Sequence, residues 1–133
     1  KPEQAQARLT ISFHYLYSRN LVDGTPMKPF VLSEAAFDIL LSLVSEPRHG
    51  YAMVQDIQER REGQPMQPGL LYTTLPKLME VGLVTEVAPP ASSTDKRRRY
   101  YQITPGGLAL VTSEAQRRLT VAQRNHALVE GLA

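Results

Sequence analysis

Lys96, Arg97, Arg98 and Arg99 stand side by side and make up four of the 15 Lys and Arg residues in a chain of net charge +2. A run of cations suits phosphate: each side chain neutralises one backbone charge, and guanidinium groups also fit the minor groove. Taken alone, such a run is as often a solvated face. A second set lies some twenty residues earlier. Thr73 and Thr74 can touch a phosphate or a thymine methyl, and Lys77 can reach the acceptors of guanine. Tyr72 reads two ways, as a core tyrosine with a polar handle or as a hydroxyl that meets a phosphate. With little Arg, Asn or Gln nearby, direct base readout should be sparse, and DNA shape should help.

Other chemistry finds less support. His14, His49 and His126 are far apart, with no pair at helical ligand spacing, so no metal site is expected, and no cofactor. His49 reads as part of a helix start and His126 as a polar residue on the last helix. No nucleophile motif, phosphate-binding glycine loop or paired-carboxylate signature occurs, so an enzyme is not expected. The absence of cysteine excludes disulfides and thiolate zinc sites and fits a reducing compartment. No apolar run reaches the roughly 20 residues of a membrane span, and nothing resembles a signal peptide. A cytoplasmic protein with no membrane partner is expected. The 133 residues, 42% hydrophobic and 21% charged, suffice for one globular domain with an appended helix.

The elements that would carry these side chains read as follows. Over residues 9–21 the apolar positions fit strand and helix periods almost equally, and helix formers favour a helix over residues 3–18. Asp23-Gly24-Thr25-Pro26 should turn the chain. Ser33 can cap a helix with Ala36, Ile39, Leu40, Leu43 and Val44 as its apolar stripe, ended by Pro47. His49-Gly50 opens a second helix, with Tyr51, Met53, Val54 and Ile57 inward and closure near Gly63. A third runs from Pro68 to Val81, with Leu71, Leu75, Leu78 and Met79 buried and Leu70, Thr73, Thr74 and Lys77 opposite. Gly82 should be its left-handed stop. Pro76 predicts a kink or an early end, because a mid-helix proline costs about 3 kcal/mol.

Residues 83–88 and 98–103 read as an antiparallel pair around a flexible loop, with Tyr101 and Ile103 turned to the core. Arg99 can pair with an acidic residue of the core. Thr104-Pro105 starts a helix to about Glu130. Its apolar positions Leu108, Val111, Ala115, Leu119, Ala122 and Val129 form a stripe that outruns a small core. Dimerisation is the preferred reading; packing back onto its own domain or the N-terminal helix is the other. The sum is a mainly α (α+β) winged helix-turn-helix, a three-helix core with a two-stranded wing. Residues 1–29 form an N-terminal extension, 30–104 the DNA-binding domain and 105–133 a C-terminal dimerisation helix.

His49-Gly50-Tyr51, Pro68-Gly69-Leu70-Leu71-Tyr72, Leu75-Pro76-Lys77-Leu78, Gly82-Leu83-Val84 and Arg98-Arg99-Tyr100-Tyr101-Gln102-Ile103-Thr104-Pro105-Gly106 together resemble the PadR family of bacterial transcriptional regulators, over about residues 32–120. The resemblance implies a homodimeric repressor on double-stranded DNA with a two-fold symmetric operator. It also implies, for some members, a small aromatic or drug-like effector. By that pattern the helix from Pro68 is the recognition helix, Tyr72 its signature tyrosine, and the wing carries backbone contacts. The expected DNA-binding residues are then Tyr72, Thr73, Thr74, Lys77, Lys96, Arg97 and Arg98. Leu70 stands where the family commonly has threonine or serine, and Pro76 is not the usual residue. Phe13, Tyr15, Tyr17 and Phe30 are candidates to line an effector cavity, ordinary core being the other reading. The alternative function is a winged-helix module for protein or small-molecule binding, with a merely solvated wing.

Overall fold

A computed structural model describes residues 32–132 and, as backbone, the pairs Leu21–Val22 and Thr25–Pro26. Those pairs, β1 and β2, bond antiparallel with Leu21 opposite Pro26, so Thr25 and Pro26, expected within a turn, are paired as a strand. The N-terminal helix over 3–18 and the aromatic candidates Phe13, Tyr15, Tyr17 and Phe30 lie outside the described residues.

Helix α1 (Glu34–Ser42) starts where the Ser33 hydroxyl accepts the Ala36 N–H at 3.1 Å. Ala36, Phe37, Ile39, Leu40 and Leu43 are buried. Val44 leaves the expected stripe, at 47% exposure, because the helix has already ended and its period no longer applies. Helix α2 (Gly50–Arg60) buries Gly50, Met53 and Ile57. Tyr51 does not face in as expected, being 62% exposed. The buried residues recur at three and four positions from Gly50, which leaves Tyr51 about 100° round the helix.

Helix α3 (Pro68–Glu80) turns Leu71, Leu75 and Leu78 into the core. It runs through Pro76, correcting the expectation of an early end there. Pro76 and Tyr72 are both exposed, so the Tyr72 carbonyl that loses its donor belongs to the solvent face. Leu75 and Leu78, buried on either side, hold the helix together. Gly82 closes it at φ +80°, where a side chain would strain the backbone.

Strands β4 (Val84–Val87) and β5 (Tyr100–Ile103) pair antiparallel, Val84 opposite Ile103 and Val87 opposite Tyr100. A third strand, β3 (Arg48–His49), joins the other side of β5, so the sheet has three strands in the order β3-β5-β4 rather than the expected two. Two residues carry no period, and only the pairing defines this strand. Tyr101 and Ile103 pack on the core as expected.

Helix α4 (Pro105–Glu130) is bolted to the end of α3 by one side chain. The Thr104 hydroxyl accepts from Gly107 N–H (3.0 Å) and donates to the Gly82 carbonyl (2.7 Å). Val111, expected in a dimer stripe, is instead 2% exposed in the core of its own chain. Ala115 also packs partly against that core. The reason is geometric: the first turns of α4 lie across α1, and the Arg118 guanidinium stacks on the Phe37 ring at 3.9 Å. From Val121 onward every described residue of α4 is exposed.

Gly107 sits where a Cβ would collide with the Leu83 carbonyl oxygen, a backbone atom that cannot step aside. Gly107→Ala should therefore destabilise the fold by about 1–3 kcal/mol, read as a lowered denaturant midpoint with an unchanged slope.

Candidate nucleic-acid interface

Helix propensity and one buried leucine face orient α3, and the remaining face is what it offers outward. Leu70, Tyr72, Thr73 and Lys77 are exposed, and Thr74 half-buried. Thr73 donates its proton to the Leu70 carbonyl at 3.1 Å, so outward it presents its methyl and its lone pairs. Tyr72 is 58% exposed, which removes the reading of it as a core tyrosine. Its hydroxyl approaches Gly50 so closely that a Cβ there would lie 2.7 Å from it. Gly50 is thus the gap into which Tyr72 leans.

Local hydrogen bonds shape the tip of the wing. Asp95 organises it: its carboxylate accepts from Arg97 N–H at 3.0 Å, its carbonyl accepts from the Ser93 hydroxyl, and Arg98 N–H reaches that same carbonyl. This is the side-chain-to-backbone turn chemistry that short acidic residues favour. Asp95 also pairs with Arg97 (3.4 Å) and Arg98 (3.9 Å), while Arg99 pairs with Glu86 (3.8 Å) of β4, an exposed acid rather than a core one. These ion pairs are exposed and worth little, about 0–1 kcal/mol, so an incoming phosphate can displace them. Lys96 reaches the Pro90 carbonyl at 3.4 Å. Lys77 forms no ion pair among the described residues.

Tyr72 and the wing-root arginines meet in one cleft of about 400 Å³. Its walls are His49, Gly50 and Tyr51 at the start of α2, Tyr72 of α3, and Arg97, Arg98, Arg99 and Tyr101 at the root of the wing. A smaller polar cleft of about 300 Å³ lies behind, between His49, Arg98, Tyr100 and the loop from Ser92 to Asp95. Of the expected DNA-binding residues, Tyr72, Arg97 and Arg98 line the main cleft. Thr73, Thr74, Lys77 and Lys96 lie outside its walls. Sequence reasoning missed His49, Gly50, Tyr51, Arg99 and Tyr101 as members of this site. For the first three the signal was the His-Gly-Tyr triplet, legible as a helix start but not as a wall facing the wing.

His49 caps α2: its Nδ1 accepts the Ala52 N–H at 3.1 Å. Its ring stands perpendicular to Tyr100, centroids 5.3 Å apart. Burial and then the Arg98 charge hold its pKa below the ordinary histidine value. Burial and then Glu86 raise the Tyr101 phenol, which stays protonated as a donor. Among the described residues no group of three or more His, Cys, Asp or Glu is placed to hold a metal ion, and no helix is long and apolar enough to cross a membrane.

A depressed histidine pKa sets a sign. As pH falls below the ordinary value of 6.5, the unfolded chain takes up its proton before the folded one does, so stability drops. Between about pH 7 and about pH 5.5 the native chain should lose more stability than His49→Asn, whose amide keeps the cap without titrating. Denaturant melts at both pH values check this.

Residues 39–113, more than half of the chain, match the model of the transcriptional regulator PadR-like family. No curated protein matches the chain. Among solved structures, it is similar to a PadR-like transcriptional regulator from Bacillus cereus (22% identity, TM-score 0.64, covering 74% of this chain and 94% of that one). It is also similar to a transcriptional regulator from Clostridium thermocellum (20%, TM-score 0.61, 74% and 99%). A PadR family transcriptional regulator from Eggerthella lenta is 26% identical over 69% of this chain and 80% of its own, with a TM-score of 0.55. The family model and the shared winged-helix architecture agree: this chain belongs to the PadR-like family of transcriptional regulators.

Proposed function

We propose that this protein is a DNA-binding transcriptional regulator and not an enzyme, a homodimeric repressor acting on an operator of two-fold symmetry. One observation carries the reading: Tyr72, on the exposed face of α3, and the arginines of the wing root line a single cleft. A buried leucine face leaves α3 free to lie in a major groove, with Leu70, Thr73, Thr74 and Lys77 toward the bases and Tyr72 toward a phosphate. Lys96, Arg97 and Arg98 then meet the flanking backbone. Leu70 in place of a hydroxyl favours apolar contact, a thymine methyl for instance, over hydrogen bonding.

The dimer is carried by α4. Its 26 residues span about 39 Å, more than the core of one chain can cover. Leu119, Ala122 and Val129 remain exposed beyond that core on one side of the helix, while Val121 and Leu128, also exposed, face another way. Leu108, exposed at the start of the helix, stands apart from this patch, and Val111 is withdrawn from it by its burial. Two-fold pairing of the patch would set the two recognition helices about 34 Å apart, one turn of DNA. The family resemblance adds a small aromatic or drug-like effector that relieves repression.

Two outcomes test this. Arg97→Ala with Arg98→Ala should weaken binding to every DNA sequence and lower the salt slope by about 2, at ~0.9 for each phosphate left without its cation. Fluorescence anisotropy at several salt concentrations reads both, and unchanged affinity would remove the wing from the interface. Absence of any salt-dependent affinity in the native chain would instead favour a protein- or ligand-binding module. Leu119→Glu, at a position 52% exposed in the single chain, should leave the fold intact and shift the protein to monomer in sedimentation.

A further inference from the structure

His49 makes two contacts that cannot both be hydrogen bonds. Its Nδ1 accepts the Ala52 N–H at 3.1 Å, and its Nε2 lies 2.8 Å from Arg98 Nη1. A neutral imidazole has one lone pair and one N–H, and a guanidinium only donates. If Nδ1 accepts, Nε2 carries the proton and faces a second donor. The reverse tautomer would satisfy Arg98 and orphan the Ala52 N–H at the helix start, where the helix itself supplies no acceptor. Arg98 has the weaker claim, since it is half exposed and already paired with Asp95. Nδ1 therefore keeps the cap, and Nε2–H and Arg98 are left as two donors side by side.

Two adjacent donors lining a cleft that also holds Tyr72, Arg97 and Arg99 form an incomplete arrangement, and one anionic oxygen placed between them completes it. We propose that His49 Nε2–H and Arg98 together seat a single non-bridging oxygen of a DNA backbone phosphate, which makes His49 a DNA-contacting residue. The site rests on the DNA-binding reading above and adds to it a neutral donor. It also links the wing to helix α2: the phosphate that engages Arg98 is held by the residue that caps α2, so the wing and the helical core grip the same point of the backbone.

The test is a double-mutant cycle on DNA binding by the full chain. His49→Asn keeps a capping side chain but loses the ring N–H. It should weaken binding about tenfold on any sequence, the scale of one charge-assisted hydrogen bond, with the salt slope unchanged because no charge is removed. Arg98→Ala should lower the slope by about 0.9. The double variant should be little worse than Arg98→Ala alone, since both residues serve one phosphate. Thermal melting of His49→Asn at the native midpoint separates this from a folding defect. Imidazole ¹⁵N shifts should show Nε2 protonated and Nδ1 bare. Additive effects, unchanged affinity in His49→Asn, or a protonated Nδ1 would each overturn the assignment while leaving the DNA reading standing. A native chain without salt-dependent DNA affinity would overturn both.

Discussion

The pairing of two residues, Arg48 and His49, with Tyr101 and Tyr100 holds the wing to the helical core. Without it, β4 and β5 would be a two-stranded hairpin, marginal on its own in water. Arg48 reinforces the joint from behind. It donates to the Ser42 carbonyl at 2.8 Å, satisfying an orphan group at the end of α1, and pairs with Asp56 of α2 at 3.6 Å. One short strand thus ties the end of one helix, the start of the next and the root of the wing. The cleft exists because those three meet there.

The opposite wall is set by packing. Leu71, Leu75 and Leu78 at four- and three-residue spacing leave α3 only one orientation against α1 and α2. That orientation places Pro76 on the solvent face, which is why the helix survives it. Tyr72 then falls beside α2, and Gly50 gives it room. A glycine at the head of one helix and a tyrosine on another act as a single fitted contact. The basic loop is positioned with comparable economy, by one aspartate that shapes the turn and pairs with two of its arginines.

Helix α4 serves two purposes along its length. Its first turns close the core through Gly107 and Val111, and Thr104 ties its start to the end of α3. Its remainder projects beyond the core with Leu119, Val121, Leu128 and Val129 exposed. A spacing of three and four cannot separate these roles, because Val111 and Leu119 lie on nearly the same stripe. What separates them is where α1 stops covering the helix.

Residues close in the chain were legible from sequence. Ser33 and Thr104 as caps, the leucine face of α3, Gly82 as its stop and the alternation that turns Tyr101 and Ile103 inward all follow from local geometry, with periods of 3.6 and 2 and one left-handed backbone position. The cation run and the helix it accompanies were legible for the same reason, as was the resemblance built on them. Tertiary structure alone decided what depends on partners far apart in the chain. It made Arg48–His49 a strand, turned Tyr51 outward, drew Val111 into the core and set His49 2.8 Å from Arg98, 49 residues away. No periodicity encodes such distances, because they are fixed by which faces pack together rather than by the pattern within any one element.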